Sequence, residues 1–181
     1  MDLLTDLGRA SKMESTGLEF PRDIYRKLWE HLLPAQQCNE EAAFAFVHPT
    51  EESSMFRLVE WYPIMPDGFA YQSSYHLELA DKERAKIIKK AHDLDASIVE
   101  LHSHLSIEKP AFSLSDLHGF EETVPHFLWR LKGKPYFAVV VSRYGFDGLV
   151  WFPNSETRVQ LQCIRVGEEV FRATGKTLKS L

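Results

Sequence analysis

Apolar residues recur at helical spacing at Ile24, Leu28 and Leu32, with Trp29 beside them, between Pro21 and Leu33. Proline suits a first helical turn and Pro34 stops the run, so the pattern predicts an amphipathic helix over 21–33. Ala42 to Val47 is apolar throughout, as a central strand is. The segment from Phe56 to Ile64 alternates and should pair with it as a hairpin across the Glu/Ser-rich turn at 51–54. Residues 65–73 read as a loop and 74–79 as a short strand. A second helix is expected from Asp81, with Asp81 as its cap and Ile87, Ile88, Ala91 and Leu94 turned inward. Ile98, Val99 and Leu101 mark a buried strand over 97–103. The stripe Leu117, Phe120, Val124, Phe127, Leu128 and Leu131 predicts a further helix, which Pro125 should kink or split. Strands are expected at 136–142, 148–153 and 159–166. The polar tail from Gly167 leaves a helix as an open option. Residues 1–20 lack a clear period and read as an N-terminal arm, a short docking helix being the alternative, so that 21–181 forms a single domain. The order α-β-β-β-α-β-α-β-β-β fits an α/β (α+β) fold, a mixed central β-sheet flanked by helices.

Within this pattern, polar residues interrupt one strand where burial is expected. His102-Ser103-His104 ends the 97–103 run, and Ser113-Leu114-Ser115-Asp116 opens the next helix. Strand side chains alternate, so both imidazoles project from one face. Asp116 sits just inside a helix start, where Ser113 or Ser115 can cap and the positive end of the helix favours a carboxylate. Two imidazoles and a carboxylate make three ligands of a tetrahedral zinc ion, with a fourth position left for water. Singly, each feature is ordinary: strand histidines usually pack, and Ser-x-x-Asp is a capping-box variant. Together, on one face of a buried strand, they need partners, and one Zn2+ ion supplies them.

Composition narrows the function further. The chain has 181 residues, 44% hydrophobic and 26% charged, enough for one substantial core. A net charge of −5 argues against a nucleic-acid partner. No apolar run approaches a membrane span, and the N-terminus lacks a basic region followed by an apolar one. Two cysteines, Cys38 and Cys163, make no disulfide framework, and a cytoplasmic location follows as the expectation. Nothing beside Cys38 suggests an activated thiolate.

These residues are similar to the signature of the JAB/MPN (JAMM) metalloprotease family: an upstream glutamate, then His-Ser-His, then Ser-x-x-Asp. The resemblance spans about residues 25–166 and is closest to small stand-alone prokaryotic members. Two departures stand out: Leu105 follows the second histidine where proline is usual, and eleven residues rather than ten precede Asp116. The resemblance implies a zinc-dependent isopeptidase or peptidase, deubiquitinase-like, acting after the C-terminus of a ubiquitin-like protein. Bacterial ubiquitin-like conjugation and antiphage defence are the implied settings, with separately encoded activating and conjugating enzymes as partners. His102, His104 and Asp116 would hold the metal and Ser113 would donate to the oxyanion. The family glutamate enters an apolar strand three residues before a small one. Glu40 with Ala43 fits this better than Glu41 with Phe44, so Glu40 is favoured as the base and Glu41 stays open. Glu100, on the histidine strand, is a weaker candidate. Phe69 and Tyr71 are the expected aromatic grip on a substrate tail, with residues 105–112 forming the rest of the groove. The competing reading is a catalytically silent scaffold of the same fold.

Overall fold

The structure, a computed structural model, describes residues 16–153, 155 and 157–180. In chain order the elements are β1 (Gly17–Glu19), α1 (Arg22–Leu32), β2 (Ala42–Pro49), β3 (Met55–Pro63), β4 (Phe69–Gln72), β5 (Leu77–Leu79), α2 (Asp81–Asp93) and β6 (Ser97–Ser103). They continue with α3 (Leu114–Arg130), β7 (Tyr136–Ser142), β8 (Gly145–Trp151), β9 (Val159–Gln160), β10 (Cys163–Val166), β11 (Glu169–Arg172) and α4 (Lys176–Lys179). Nine strands form one mixed sheet in the order β11-β10-β1-β3-β2-β6-β7-β8-β9, while β4 and β5 make a separate hairpin.

The central strands β2, β6 and β7 are buried on both faces, as the apolar runs of β2 and β7 require, while β6 carries Glu100, His102 and Ser103 into the interior. On one face Ala43, Ala45, Val99, Leu101 and Val139 pack with Leu28 and Leu32 of α1. On the other, Phe44, Phe46, Ile98, Ala138 and Val140 meet Ile87 and Ala91 of α2 and Leu117, Phe120, Val124 and Phe127 of α3. Alternation along β6 therefore sends Glu100 and His102 into the layer shared with α2 and α3. The mixed sheet with flanking helices matches the sequence expectation.

Several local expectations are corrected. The end of the expected arm is part of the sheet: β1 lies between β10 and β3, with Leu18 and Phe20 fully buried. Residues 1–15 lie outside the described residues. Phe69–Gln72, read as loop, is a strand, because it pairs with β5. Asp81 is not the cap of α2; Ala80 holds that position. Pro125 neither splits nor ends α3, which runs for 17 residues with Pro125 inside it. Burial of Phe120, Val124 and Phe127 on both sides of the proline holds the helix together there.

The expected strand at 159–166 is two strands belonging to opposite ends of the sheet. β9 pairs with β8, while β10 pairs with β1. Successive amides make the transition: Leu161 donates to the Gly148 carbonyl, and Gln162 donates to the Thr16 carbonyl. The sheet is curled enough for Leu161 and Gln162 alone to link strands at its two ends. A β-carbon on Gly148 would stand 2.7 Å from Leu161, so glycine is what lets the crossing segment lie against β8. The tail forms β11 on the outer edge and then the short helix α4.

Candidate metal centre

Register builds the centre. β2 and β6 run antiparallel with Ala42 opposite His102. Continuing that register past the strand end brings Glu40 level with His104. Three contacts fix the approach. The Ser103 hydroxyl accepts from the Glu41 amide (2.9 Å) and from Gln37 Nε2 (2.7 Å), and Gln72 Nε2 donates to the Glu40 carbonyl (2.8 Å). Ser103, fully buried between the two histidines, thus faces the other way and ties the glutamate segment to β6.

Asp116 arrives from α3. Ser113 caps the helix, its Oγ accepting from the Asp116 amide at 3.1 Å. The Asp116 carboxylate in return accepts from the Ser113 amide and hydroxyl, both at 2.7 Å. That reciprocal box aims the carboxylate at the strand. His102 Nε2 and His104 Nε2 lie 3.2 Å apart. Asp116 Oδ1 is 3.6 Å from the first and Oδ2 is 3.3 Å from the second. Glu40 Oε1 stands 3.8 Å from His104 Nε2.

Whether a metal fits can be judged from these edges. Zinc–nitrogen bonds of about 2.0–2.1 Å in tetrahedral geometry set ligand atoms about 3.3 Å apart. The nitrogen pair at 3.2 Å, and the two carboxylate oxygens at 3.6 Å from His102 and 3.3 Å from His104, are separations of that size. Two ring nitrogens facing one another at 3.2 Å need a positive centre between or beside them, a proton or a cation. Hard-to-soft balance of two imidazoles and one carboxylate suits zinc. The three side chains could hold a metal ion, and they form the group of that kind found among the described residues.

Electrostatics separate the acids by role. Burial pushes the Glu40 carboxyl above its usual range, opposed by His104 and His102. Burial would also raise Asp116, yet the two imidazoles and the Ser113 bonds hold it far below the carboxylate range. His102 is pushed down by burial and up by Asp116, and Asp116 prevails. Glu100 is raised by burial while accepting a hydrogen bond from the Tyr136 hydroxyl. Glu41 faces Gln72 and His31 instead of the imidazole pair.

A cavity of about 380 Å³ opens beside His102 and Asp116, between β5 and the first half of α3, with Arg84 and Glu100 on its wall. Its rim is formed by His76–Leu79 rather than by residues 65–73 or 105–112. Phe69 packs against the α2/α3 core layer, and Tyr71 is exposed with its ring 5.8 Å from that of His76. The structure thus brings Glu40, His102, His104, Ser113 and Asp116 together and leaves Phe69 and Tyr71 away from this cavity. Gln37, Gln72 and Phe112, which shape the centre, carry no motif of their own, and the part played by Ser103, inside the His-Ser-His motif, was not read from it. Only the strand register, seen in three dimensions, assigns them.

No family model matches the chain, and no curated protein does. Among solved structures it is similar to the Trichoplax adhaerens STIL N-terminal domain, at 13% identity and a TM-score of 0.29. That likeness covers 71% of this chain, which spans 38% of the STIL chain's length. No described helix is long and apolar enough to cross a membrane.

Proposed function

We propose that the chain is a zinc-dependent peptidase of the JAB/MPN type, cleaving a peptide or isopeptide bond after the C-terminus of a ubiquitin-like protein in the cytoplasm. The observation that carries this reading is the convergence of His102, His104 and Asp116 from two elements, with Glu40 delivered beside them by strand register.

His102, His104 and Asp116 would hold the metal. When bound, zinc supplies Lewis acidity toward a carbonyl and lowers the pKa of a water to about 7. Glu40, beside His104, would take a proton from the attacking water and return it to the leaving amine. Its raised carboxyl shifts it toward the neutral range a shuttle needs. Ser113 orients Asp116 through the capping box. Rotation of its hydroxyl off Oδ2 would free it to donate to a developing oxyanion. An extended tail would lie along the β4–β5 hairpin by strand addition, with the cavity behind β5 taking a side chain.

The test uses a ubiquitin-like fusion whose C-terminus is followed by a peptide. Wild type should cleave after the tail, lose activity to a chelator and regain it with zinc. Cleavage insensitive to chelation would refute the metal mechanism. Zinc binding without cleavage of any ubiquitin-like fusion would favour the partner-binding scaffold instead.

A further inference from the structure

The connection 105–113 joins the second histidine to the helix that carries Asp116, so its placement sets the distance between ligands. Side chains from the C-terminal segment hold it at several points. Lys176 Nζ reaches Glu108 Oε2 at 2.7 Å, and Thr174 Oγ1 donates to the Pro110 carbonyl at 2.9 Å. The Phe112 amide donates to Thr177 Oγ1 at 3.0 Å. Ser142, at the end of β7, adds a longer bond to the Glu108 carbonyl, 3.3 Å. Residues 108, 110 and 112 are thus held in alternation from the tail.

Thr177 is itself fixed. Its hydroxyl donates to Asp147 Oδ2 at 2.6 Å and its amide donates to the same oxygen at 2.9 Å. Asp147 Oδ1 accepts from the amides of Gly148 and Gly175, each at 3.0 Å, and from Gln160 Nε2 at 2.9 Å. Asp147 is fully buried and Thr177 nearly so. With its proton committed to Asp147, the Thr177 hydroxyl can only accept from other groups, and the Phe112 amide donates to it. Phe112 immediately precedes the cap Ser113, and its ring lies 5.7 Å from the His102 ring and 5.2 Å from Phe120.

We propose that Thr177, oriented by Asp147, is a positioning residue of the metal centre: through the Phe112 amide it sets both the cap that aims Asp116 and the wall against His102. The C-terminal segment is then a working part of the site. A clamp serving only to tie down the tail would have no reason to land on the one connection between two ligands. This rests on the metal reading of the preceding section.

The test uses the full chain as Thr177→Val, which keeps the shape and removes the hydroxyl, and Thr177→Ser, which restores it. Two quantities are read: exchange of the Phe112 amide in metal-free protein by NMR, and zinc affinity by competition with a chromophoric chelator. Thr177→Val should speed Phe112 exchange and weaken zinc binding by roughly 10–100-fold, as loss of an outer-shell partner does. Thr177→Ser should restore both. Faster Phe112 exchange with wild-type zinc affinity would overturn the positioning role while leaving the metal site standing. A wild type without zinc affinity would instead remove the metal reading itself. Should Thr177→Val fail to fold, Thr174→Val removes the Pro110 bond and a long one from the Lys176 amide while leaving Thr177 in place. It should weaken zinc binding by less, and unchanged affinity there would also count against the proposal.

Discussion

Asp116 and Asp147 are two carboxylates held largely by backbone amides and hydroxyls in one domain, yet they do different things. Asp147 is fully buried and its two oxygens receive donors from Gly148, Gln160, Gly175 and Thr177. Nothing is left over, and such a group fastens β8 to the tail. Asp116 takes two donors from Ser113 and turns the rest of its acceptor capacity toward two imidazoles. Burial alone does not mark a functional acid. What distinguishes the two is where the unused lone pairs point and what else points there.

The largest expected effect tests the acid beside the open site. Glu40→Gln keeps the shape but cannot accept a proton, so cleavage should fall by about 10²–10⁴-fold while zinc remains bound. Glu41→Gln, one residue along, should cost little. If Glu41→Gln is the inactive variant, the register argument is wrong.

Next comes the closed site. Asp147→Ala leaves the buried donors of Gly175 and Thr177 without their acceptor, which should cost about 3–5 kcal/mol in urea unfolding. Asp116→Ala should cost much less in the metal-free protein, because the carboxylate is partly exposed and its main partners are each other's neighbours. Equal losses at the two positions would erase the comparison.

A smaller effect concerns pH in the metal-free protein. Asp116 has a folded pKa below its unfolded value of about 3.9, so its contribution is full above that value and is lost as pH falls through the folded one. His102 has a folded pKa raised above about 6.5, so its contribution is full below that and is lost as pH rises through the folded value. The pair therefore stabilises most between roughly pH 4 and 6.5. Asp116→Asn should flatten both limbs, measured by urea midpoints across pH. A profile identical to wild type would mean the pair is uncoupled.

Smallest of all, Tyr71→Ala should change stability by less than about 0.5 kcal/mol, since the side chain is exposed and its partners, His76 and the exposed Tyr75, lie on the same hairpin. Turnover of a tail substrate should drop less than on substitution of Leu79 at the cavity. A larger loss at Tyr71 would return the grip to the aromatics of the hairpin.

The legible parts of this molecule were those written locally. Apolar runs located β2, β6 and β7, and the His-x-His alternation with a capping serine located the three side chains that could hold a metal ion, because each signal lies within a few residues. Glu40 was favoured over Glu41 by spacing to a small residue; in the structure it is Glu40 that stands beside His104, through the antiparallel pairing of Ala42 with His102. Elements whose partners are distant were missed. β1 is a three-residue strand recruited by β3 and β10, and β11 exists only by pairing with β10. Asp147, between Phe146 and Gly148, has no local signal, since its partners at 160, 175 and 177 follow only after the chain has crossed the curled sheet.

Zinc content of the purified chain is the most direct measurement. Elemental analysis should find about one zinc per chain in wild type and in Glu40→Gln, and a loss of most of it in His104→Ala, as removal of one of three protein ligands demands. Wild type without zinc, or His104→Ala that keeps its full complement, would contradict the metal centre on which this account stands.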